Sequence, residues 1–495
     1  MHRDFFLSKN LIFYGKTTKI MEKVEWYIFA SLGTYFLISC ILFSKVTREQ
    51  KEPYMDEIFH VPQVQKYCEG RFNEWDPMIT TLPGLYLVSV GIVKIVKSSV
   101  WLAGWSAKVV CSTGMLRFIN LLFSSGNLYL IYLILCKLHQ TDKTASTSRR
   151  ILSALALSSF PVLYFFTFLY YTDVGSTFFT LSAYLMCLYG SHKISGLLGF
   201  CAVMFRQTNI IWVVFCAGVL IAQKLTEAWK TELTKKREDK VSTSTEASIT
   251  EIKKVTQFMV EYILSATNVK SLISLTWPYV MLLVGFLVFI VLNGGIVVGD
   301  RSSHEACLNF PQLFYFFSFT LAFSISHSLS YQKIINFIQS LKKHPIFFLS
   351  LTALSLFLVW KFTYVHKYLL ADDRHYSFYL WKKIFQKHRL VPFILVPGYI
   401  FAAWSFVDSL KSKSLFWKLM FCVCLVAAIV PQRLLEFRYY ILPYLIYRLN
   451  IQVPSVFRLV LELGLYTIVN ALTFYLFLNR PFHWSGSWEV QRFMW

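Results

Sequence analysis

The amino-acid sequence predicts an all-α protein that crosses a membrane many times. Of its 495 residues, 56% are hydrophobic and only 15% are charged, so the chain lacks the polar surface that a soluble protein of this size needs. Apolar runs long enough for spanning helices recur along the chain, and short Lys- and Arg-rich stretches separate them. The net charge of +22 therefore indicates loops that face anionic lipid in the cytosol, and it does not indicate a nucleic-acid-binding domain.

The chain begins with a basic, polar segment, residues 1–25, which we expect in the cytosol. Residues 26–46 form the first apolar run, which is long enough to cross a bilayer, and no small-residue cleavage site follows it. This pattern predicts an uncleaved signal anchor. It places residues 47–82 in the lumen, near the start of a single transmembrane domain that covers residues 26–495.

The luminal segment 47–82 carries a dense acidic and aromatic cluster. Asp56 and Glu57 lie side by side where the chain leaves the bilayer, and His60 follows one helical turn later. Apolar residues at helical spacing come next, while Pro62 interrupts a continuous helix and Gly70 suits a helix end. We expect a short amphipathic helix on the membrane surface, with the acid pair at its start.

Further apolar segments follow along the chain. They lie at 83–97, 116–137, 151–171, 174–190, 195–222, 272–292, 310–329, 345–363, 391–409, 418–435 and 439–478. If each crossed the membrane once, the basic stretches 137–150 and 223–270 could not both be cytosolic. A hairpin or interfacial excursion over 83–111 and a break at Arg206-Gln207-Thr208-Asn209 resolve this conflict, because polar interruptions of membrane segments line cavities or are buried in protein. The stretch 223–270, rich in Ser and Thr, is then predicted to be a flexible cytosolic loop.

This topology brings ionisable residues together on the luminal side. They are Asp56, Glu57, Asp173, Asp300, the loop 366–376 and the turn 436–438. A transporter would more naturally carry its charges near the middle of the bilayer, at broken helices. A polar luminal face suits glycosyl transfer from a lipid phosphate. That reaction needs a carboxylate to take a proton from the acceptor hydroxyl, cationic groups to hold the phosphate, and an apolar groove for the lipid.

Asp56 or Glu57 can supply the base. Arg374 and Arg438 can hold the phosphate through bidentate guanidinium contacts, although an arginine at this depth can equally snorkel beside lipid headgroups. A phosphate leaves as a stable anion, so no second carboxylic acid is required. The acid pair could instead bind a divalent cation, but a lipid-phosphate donor has no nucleotide diphosphate to neutralise. We therefore predict that the protein needs neither a metal nor another cofactor.

Several long motifs resemble those of a known family. They are YMDEIFHVPQ at 54–63, WDPMITTLPGLY at 75–86, FRQTNIIW at 205–212, LLADDRHY at 369–376 and QRFMW at 491–495. In these motifs the chain resembles the dolichyl-phosphate-glucose-dependent α-1,2-glucosyltransferases, which add the terminal glucose to the lipid-linked oligosaccharide of the endoplasmic reticulum. The resemblance runs from about Met21 to residue 495.

The resemblance implies a C-type glycosyltransferase fold with about 11–14 transmembrane helices and a luminal first loop that carries short interfacial helices. It implies dolichyl phosphate glucose as donor, a diglucosylated dolichyl-diphosphate oligosaccharide as acceptor, inversion at the anomeric carbon, and a lumen-facing site in the endoplasmic reticulum membrane. It also points to Asp56 as the base, with Glu57 orienting the acceptor or His60, or to the two carboxylates with these roles exchanged. Asp373 stands where we expect Asn in the family, and it adds a negative charge beside the proposed phosphate site.

The predicted catalytic residues are thus Asp56 and Glu57. The predicted substrate-binding residues are His60, Asp76, Arg206, Gln207, His366, Asp372, Arg374, His375, Tyr376, Glu436 and Arg438. Asp76 precedes a proline and fits a turn as well as acceptor binding, and Arg206 and Gln207 fit a buried pair as well as a function.

The ten cysteines show no metal-ligand spacing, and Cys68 with Cys307, both luminal, could form one disulfide. Two alternative functions stay open at this point. One is a transferase that uses another dolichyl-phosphate sugar, and the other is a transporter or channel-associated protein without catalysis.

Overall fold

The computed structural model describes residues 2–102, 111–142, 144–238, 249–301, 306–486 and 488–495. These residues form α-helices together with one short antiparallel ribbon, β1 (Phe482–His483) and β2 (Val490–Gln491). The first helices are α1 (His2–Glu49), α2 (Glu57–Cys68), α3 (Gly84–Leu102), α4 (Thr113–Leu138), α5 (Thr147–Ser158), α6 (Pro161–Phe165), α7 (Thr172–Leu188), α8 (His192–Phe205), α9 (Ile210–Glu238), α10 (Ile249–Leu264) and α11 (Ala266–Asn293). The remaining helices are α12 (Pro311–Phe323), α13 (Ile325–Ser328), α14 (Tyr331–Lys343), α15 (Pro345–Phe362), α16 (Lys367–Ala371), α17 (Tyr376–Leu380), α18 (Val391–Ile394), α19 (Val396–Ser409), α20 (Leu415–Ile429), α21 (Ile441–Asn450) and α22 (Val456–Asn479).

Seven helical segments among the described residues are long and apolar enough to cross a membrane. They are Trp26–Glu49, Thr113–Leu138, Gln207–Thr234, Ala266–Asn293, Pro345–Phe362, Val391–Ser409 and Val456–Asn479. A bent pair, Thr147–Ser158 with Pro161–Phe168, adds an eighth if it counts as one span. The prediction of an all-α protein with many membrane spans is confirmed. By length and composition the described helices supply fewer spans than the predicted 11–14, since α8 and α20 are apolar but shorter.

The spans differ in how much of their surface the protein buries. The most apolar windows of α4 and of the segment Gln207–Thr234 are 61% buried, whereas those of the first span, α11 and α15 are only 17% buried. Helix α4 and the segment Gln207–Thr234 therefore form the centre of the bundle, whereas the first span, α11 and α15 present most of their surface to lipid. Inside the bundle, α4 packs against α5 and α7, α7 packs against α8, and α9 packs against α20.

The predicted break in the apolar run 195–222 is confirmed. Helix α8 ends at Phe205, Arg206 takes an extended conformation with φ −149°, residues 207–209 form one 3₁₀ turn, and α9 begins at Ile210. The Asn209 side chain stabilises the break because its amide donates to the Ala202 carbonyl at 2.7 Å. Arg206 and Gln207 consequently lie at the end of a membrane helix, where a cavity can reach them.

The acidic segment folds as the sequence predicts at its start and its end. Asp56 is the N-cap of α2, and this helix closes at Gly70, whose φ is +87°. The N–H of Gly70 donates to the Tyr67 carbonyl and the N–H of Arg71 to the Lys66 carbonyl, which is the Schellman pattern that favours glycine. Pro62 lies inside α2 and does not interrupt it, which corrects one expectation.

A second correction concerns the apolar face of α2. Val61, Val64 and Tyr67 are 2%, 0% and 6% exposed, because this face packs against α3 and the protein core and not against the membrane surface. The disulfide is also corrected. Cys68 at the end of α2 pairs with Cys111, 43 residues away, and Cys307 is a free thiol.

The stretch 223–270 was predicted to be a flexible loop, and this is wrong for most of its described part. Helix α9 extends to Glu238, α10 covers Ile249–Leu264, and α11 begins at Ala266. Residues 239–248, within that stretch, lie outside the described residues, as do residues 103–110 of the predicted hairpin at 83–111. The rest of that hairpin is helix α3 over Gly84–Leu102.

Helix α22 connects the two ends of the bundle. Its 24 residues rise about 36 Å, enough to cross the apolar core of a bilayer. At its C-terminal end the Phe477 carbonyl accepts from the Arg492 guanidinium, which also binds Gln50 at 2.9 Å, a few residues before Asp56. We call this the Asp56 end, and the end at Ser455, where α22 begins, the opposite end. Between them a fully buried pair, Arg448 and Glu462, joins α21 to α22 through two contacts of 2.9 and 2.6 Å.

Candidate active site

A cavity of about 440 Å³ opens at the Asp56 end of the bundle. It gathers side chains from α2, the segment before α3, the break at Arg206, the loop between α15 and α17, and the segment before α21. The predicted site residues that line it are Asp56, His60, Arg206, Asp372, Arg374, His375, Glu436 and Arg438. An adjoining cavity of about 240 Å³ shares Arg206, Thr80 and Thr81 with it and is lined in addition by Gln207 and His366. Segments far apart in the chain thus meet at one site.

Asp56 presents its carboxylate to this cavity. Its side chain is 41% exposed, its Oδ2 lies 3.1 Å from Arg438 Nη1, and its backbone N–H donates to the Tyr171 hydroxyl at 3.1 Å. The preceding residue, Met55, has φ +55°, a left-handed conformation that is uncommon for a residue with a side chain. Burial alone would raise the pKa of Asp56, but the neighbouring Arg438 outweighs it and the pKa is lowered. Asp56 is therefore ionised at neutral pH and can accept a proton.

Arg438 is the hub of an ionic cluster around this carboxylate. Besides Asp56 it contacts Glu436, and its Nη1 lies 3.7 Å from Asp173 Oδ2. Its guanidinium also stacks over the rings of Phe166 and Tyr171 at 5.3 Å each. Burial by itself would lower the pKa of Arg438, whereas the three carboxylates raise it well above its usual value. Arg438 therefore keeps its charge and fixes the position of Asp56.

Arg206 adds a second guanidinium. It pairs with Asp173, whose side chain is only 2% exposed, and it lies over the Tyr439 ring at 5.9 Å. The buried Asp173 thus bridges Arg206 and Arg438. The side chain of Arg206 is 20% exposed and lines both cavities. Of the guanidinium nitrogens of Arg206, only Nη1 donates a hydrogen bond to the described residues, which leaves Nε and Nη2 for an anion in the cavity.

Glu57 has a different environment from its neighbour. It is completely buried and receives donors on both oxygens: Arg117 Nε at 2.8 Å, Arg117 Nη2 at 2.5 Å, the Tyr170 N–H at 2.5 Å and the Tyr54 N–H at 3.0 Å. Arg117, on α4, is also 0% exposed. Glu57 therefore fastens the acidic segment to the bundle. The expectation that it orients the acceptor or His60 does not fit these contacts.

His60 lies on the cavity wall, 9% exposed, and its Nδ1 is 2.5 Å from the Tyr86 hydroxyl on α3. Burial is the largest influence on its pKa and lowers it, even though the nearby Asp56 acts in the opposite direction. The imidazole is thus neutral at physiological pH. A neutral imidazole can exchange a hydrogen bond with a substrate hydroxyl without adding charge.

The loop after α16 supplies a compact unit of charged side chains. Asp372 accepts from Arg374 Nε and Nη2, both at 2.8 Å, and lies 3.7 Å from His375 Nε2. Burial would raise the pKa of Asp372, but Arg374 and His375 lower it. Asp373 does not add its negative charge to the cavity wall, contrary to expectation. Its carboxylate accepts a hydrogen bond from Trp484 Nε1 at 2.7 Å, and the residue does not line the cavity.

Four predicted residues play supporting parts in this geometry. Gln207 donates to the Thr80 carbonyl at 2.9 Å, and His366 caps α16 by accepting from the Tyr368 N–H at 3.2 Å. Asp76 shapes a turn, since its Oδ1 accepts from the Met78 N–H at 2.9 Å, and it does not line either cavity. Tyr376 packs its ring against Trp495 at 5.0 Å and is likewise absent from both walls. The structure thus does not bring Asp76 and Tyr376 to the site.

The C-terminal segment binds side chains and backbone groups next to the site. The Tyr54 hydroxyl donates to the Arg492 carbonyl at 2.7 Å and accepts from the Arg492 N–H at 2.8 Å. Arg374 Nη1 donates to Gln491 at 3.1 Å, and His375 Nδ1 lies 2.9 Å from the Trp495 carbonyl. Residues 491–495 therefore hold the acidic segment and the Asp372–His375 loop in register.

Two residues of this ionic network, Asp173 and Arg117, are missing from the predicted site residues, although Asp173 was expected on the luminal side. Both carried a usable signal, because each is a charge at or within an apolar run, and such residues are costly unless they are paired. Asp173 precedes the run at 174–190 and Arg117 lies in the run at 116–137. The identity of their partners, Arg206 and Glu57, depends on tertiary packing and has no local signature.

Comparisons with known proteins agree on one family. The model of the DIE2/ALG10 family matches residues 50–449. A rat protein named Dol-P-Glc:Glc(2)Man(9)GlcNAc(2)-PP-Dol alpha-1,2-glucosyltransferase is 62% identical over 96% of this chain and all of its own length. A human protein of the same name is 61% identical over the same shares, and one from Arabidopsis thaliana is 35% identical over 90% of this chain and 95% of its own. No solved structure matches the chain significantly.

The contrast between the two adjacent acids gives a stability prediction. Glu57→Gln replaces a fully buried carboxylate by an amide that offers donors to Arg117, so it should destabilise the protein by about 3–5 kcal/mol, the range for breaking a buried ion pair. Asp56→Asn, at a partly exposed position on the same segment, should leave stability close to that of the parent. The midpoint of thermal unfolding in detergent measures both. Equal midpoints for the two variants would contradict the structural role of Glu57.

Proposed function

Because the chain belongs to the DIE2/ALG10 family, we propose that it transfers glucose from Dol-P-Glc to Glc2Man9GlcNAc2-PP-Dol in α-1,2 linkage. It is an enzyme, a Dol-P-Glc-dependent α-1,2-glucosyltransferase, and the donor and acceptor named for its relatives are its substrates. The observation that carries this function is identity above 60% to such relatives over their full length. This identity argues against the two alternative functions, transfer of a different sugar from dolichyl phosphate and a role in transport.

Asp56 is the general base of this proposal. Two features support Asp56 over Glu57. The side chain of Asp56 is 41% exposed and lines the larger of the two adjoining cavities, which we call the main cavity, whereas Glu57 is buried with donors on both oxygens. In the reaction, Asp56 takes the proton of the acceptor hydroxyl while that oxygen attacks the anomeric carbon and the bond to the dolichyl phosphate breaks. Attack from the side opposite the leaving phosphate inverts the anomeric centre. Base catalysis of this kind contributes about 10²- to 10⁴-fold.

The leaving phosphate needs guanidinium N–H groups near Asp56 that are not already used in hydrogen bonds. Arg206 suits this role, because it lines both cavities and keeps Nε and Nη2 free of hydrogen bonds to the described residues. Arg374 contributes a second guanidinium on the same wall, and its hydrogen bonds to Asp372 and Gln491 fix its position. Arg438 is committed to Asp56 and Glu436, so its part is to position the base. His60, His375 and Glu436 remain for the sugars.

Metal independence is part of the proposal. Asp56 and Glu57 do not form a joint ligand set, since Glu57 points to Arg117 and away from the cavity that Asp56 faces. The guanidinium groups of Arg206 and Arg374 can balance the charge that develops on the phosphate, which is the task a divalent cation performs in nucleotide-dependent transfer.

The membrane setting follows from the same premise. The protein is a multi-pass membrane protein, and we propose that it adopts the C-type glycosyltransferase fold in the endoplasmic reticulum membrane with its main cavity facing the lumen. Shorter apolar helices such as α8 and α20 then complete the set of crossings. The Lys-rich segments near Lys342 and Lys411 face the cytosol, in keeping with the distribution of basic residues in membrane proteins.

Glucose transfer by the purified protein tests the function and the base together. With dolichyl phosphate glucose and the diglucosylated lipid-linked acceptor, the parent should form the α-1,2-linked product, and Asp56→Asn should lower kcat by about 10²- to 10⁴-fold. Asp76→Asn is the matched control, because it neutralises a carboxylate of the same segment outside the cavity. Absence of product with the folded parent would refute the function, while full activity of Asp56→Asn would refute only the assignment of the base.

The pH profile tests the link between Arg438 and Asp56. The reaction needs ionised Asp56, and Arg438 lowers the pKa of that carboxyl. As the pH is lowered, kcat/KM of the parent should therefore begin to fall only below pH 3.9 or so, which is about the usual pKa of an aspartate. Arg438→Gln removes the positive charge, so the pKa of Asp56 rises and the acid limb should move up by about 1–3 pH units. Arg438→Lys should restore most of the parent profile. A limb that does not move in Arg438→Gln would mean that another group is the base.

Chelation tests metal independence in the same assay. An excess of chelator should leave the initial rate unchanged, because the proposed charge balance uses guanidinium groups. A rate that disappears with chelator and returns on addition of manganese would overturn this part of the proposal.

A further inference from the structure

A second polar cavity, of about 540 Å³, lies at the opposite end of the bundle. We call it the basic cavity. It lies between the segment before α5, α13 with the start of α14, the residues after α19, and the start of α22. Among the described residues, its cationic wall residues are Arg149, Lys333, Lys411 and Arg458, and its one acidic wall residue is Asp408. Nothing in the glucosyl-transfer mechanism uses these residues.

The basic cavity cannot be a part of the transferase site. Residues 454 and 455 on its wall directly precede α22, whose other end reaches the Asp56 end after a rise of about 36 Å. The segment that contains Arg438 likewise enters α21 at the Asp56 end, and α21 leads directly to Ile451 on the wall of the basic cavity. The two cavities therefore lie at opposite ends of the bundle.

The positive charge of this cavity is largely uncompensated. Asp408 lies 3.6 Å from Lys333, which also donates to the Ser409 hydroxyl at 2.6 Å. Within the part of the chain that the structure describes, neither Lys411 nor Arg458 takes part in an ion pair, and Arg149 donates to the carbonyl of Thr144. Burial lowers the pKa of Lys333, Asp408 raises it, and repulsion from Lys411 and Arg458 lowers it again. On the described wall of the cavity, four cationic residues thus accompany one carboxylate.

The start of helix α22 adds backbone donors to the basic cavity. Helix α22 begins here, and its N-cap Ser455 makes no capping hydrogen bond through its side chain. The first N–H groups of a long helix favour an anion, and phosphate in particular.

The neighbouring helix α14 places the cavity at the depth of lipid headgroups. None of its residues is buried, its apolar residues Ile334 and Ile338 are 40% and 44% exposed, and it ends in Lys342 and Lys343. A helix with exposed apolar residues and a basic end lies in the interface between headgroups and acyl chains. A lipid headgroup beside α14 can therefore reach Lys333, at the start of this helix.

We propose that the basic cavity is a binding site for a phosphate anion presented by an anionic lipid headgroup, on the membrane face opposite the transferase site. Lys411 and Arg458 are the principal contacts, and Lys333 and the start of α22 complete the site. The shared chemistry is that of a phosphate group, which free phosphate could also supply, so the test separates the two sources.

Photolabelling of the full-length protein in phosphatidylcholine nanodiscs tests this site. The probe is phosphatidic acid with a diazirine in its acyl chain, and labelled peptides are located by mass spectrometry. We expect labelling near residues 327–338 and 451–458, and a loss of about tenfold or more in Lys411→Gln/Arg458→Gln, because charge-assisted contacts to phosphate are lost. The matched control is Lys342→Gln/Lys343→Gln, which removes two charges from the same face outside the cavity and should keep the labelling. Both pairs are exposed, so neither should impair folding.

Competition assigns the source of the phosphate. Unlabelled phosphatidic acid should suppress the labelling, whereas added phosphatidylcholine should not, and glucose transfer should stay near the parent level in both double variants. If inorganic phosphate at the concentration of the lipid suppressed the photolabelling equally well, the cavity would still be an anion site, but its assignment to a lipid headgroup would be overturned. Equal loss of labelling in both double variants, or equal suppression by phosphatidylcholine, would overturn the site itself.

Discussion

The buried pair between Glu57 and Arg117 is the contact on which the candidate site depends. Asp56 belongs to a segment outside the membrane helices, and such a segment would otherwise be free to move. The pair, together with the N–H donors of Tyr54 and Tyr170, fixes this segment to α4, one of the two most enclosed spans. One carboxylate of the adjacent acids thus serves as an anchor, and because it is anchored the other is held facing the cavity.

Around this anchor the protein arranges an ion cluster that is almost balanced. Asp56, Asp173 and Glu436 supply three negative charges, and Arg206 and Arg438 supply two positive ones. Such a cluster holds its members by mutual attraction before any substrate binds, so little reorganisation accompanies the reaction. It also distinguishes the two arginines, because Arg438 contacts three carboxylates and Arg206 contacts one. The different tasks that we propose for them rest on this difference.

The sequence revealed the features that depend on local pattern and missed those that depend on packing. The break at Arg206 was predictable because a polar run inside an apolar one has few structural explanations. The end of α2 was predictable because glycine readily adopts the positive φ that ends a helix, and Gly70 does so here. The different environments of Asp56 and Glu57 were not predictable, since adjacent residues share their local context and they differ through partners distant in sequence, such as Arg117, 60 residues after Glu57. Cys68 was likewise assigned the wrong partner, because residence in one compartment does not fix a distance.

The contact between Tyr54 and Arg492 joins residues 438 positions apart, and this separation has a consequence for biosynthesis. A ribosome that adds about 5–20 residues per second makes the second partner roughly 20–90 s after the first. Until then the acidic segment lacks the contacts through which residue 492 holds Tyr54 in place. The geometry around Asp56 is thereby complete only after synthesis has passed residue 492.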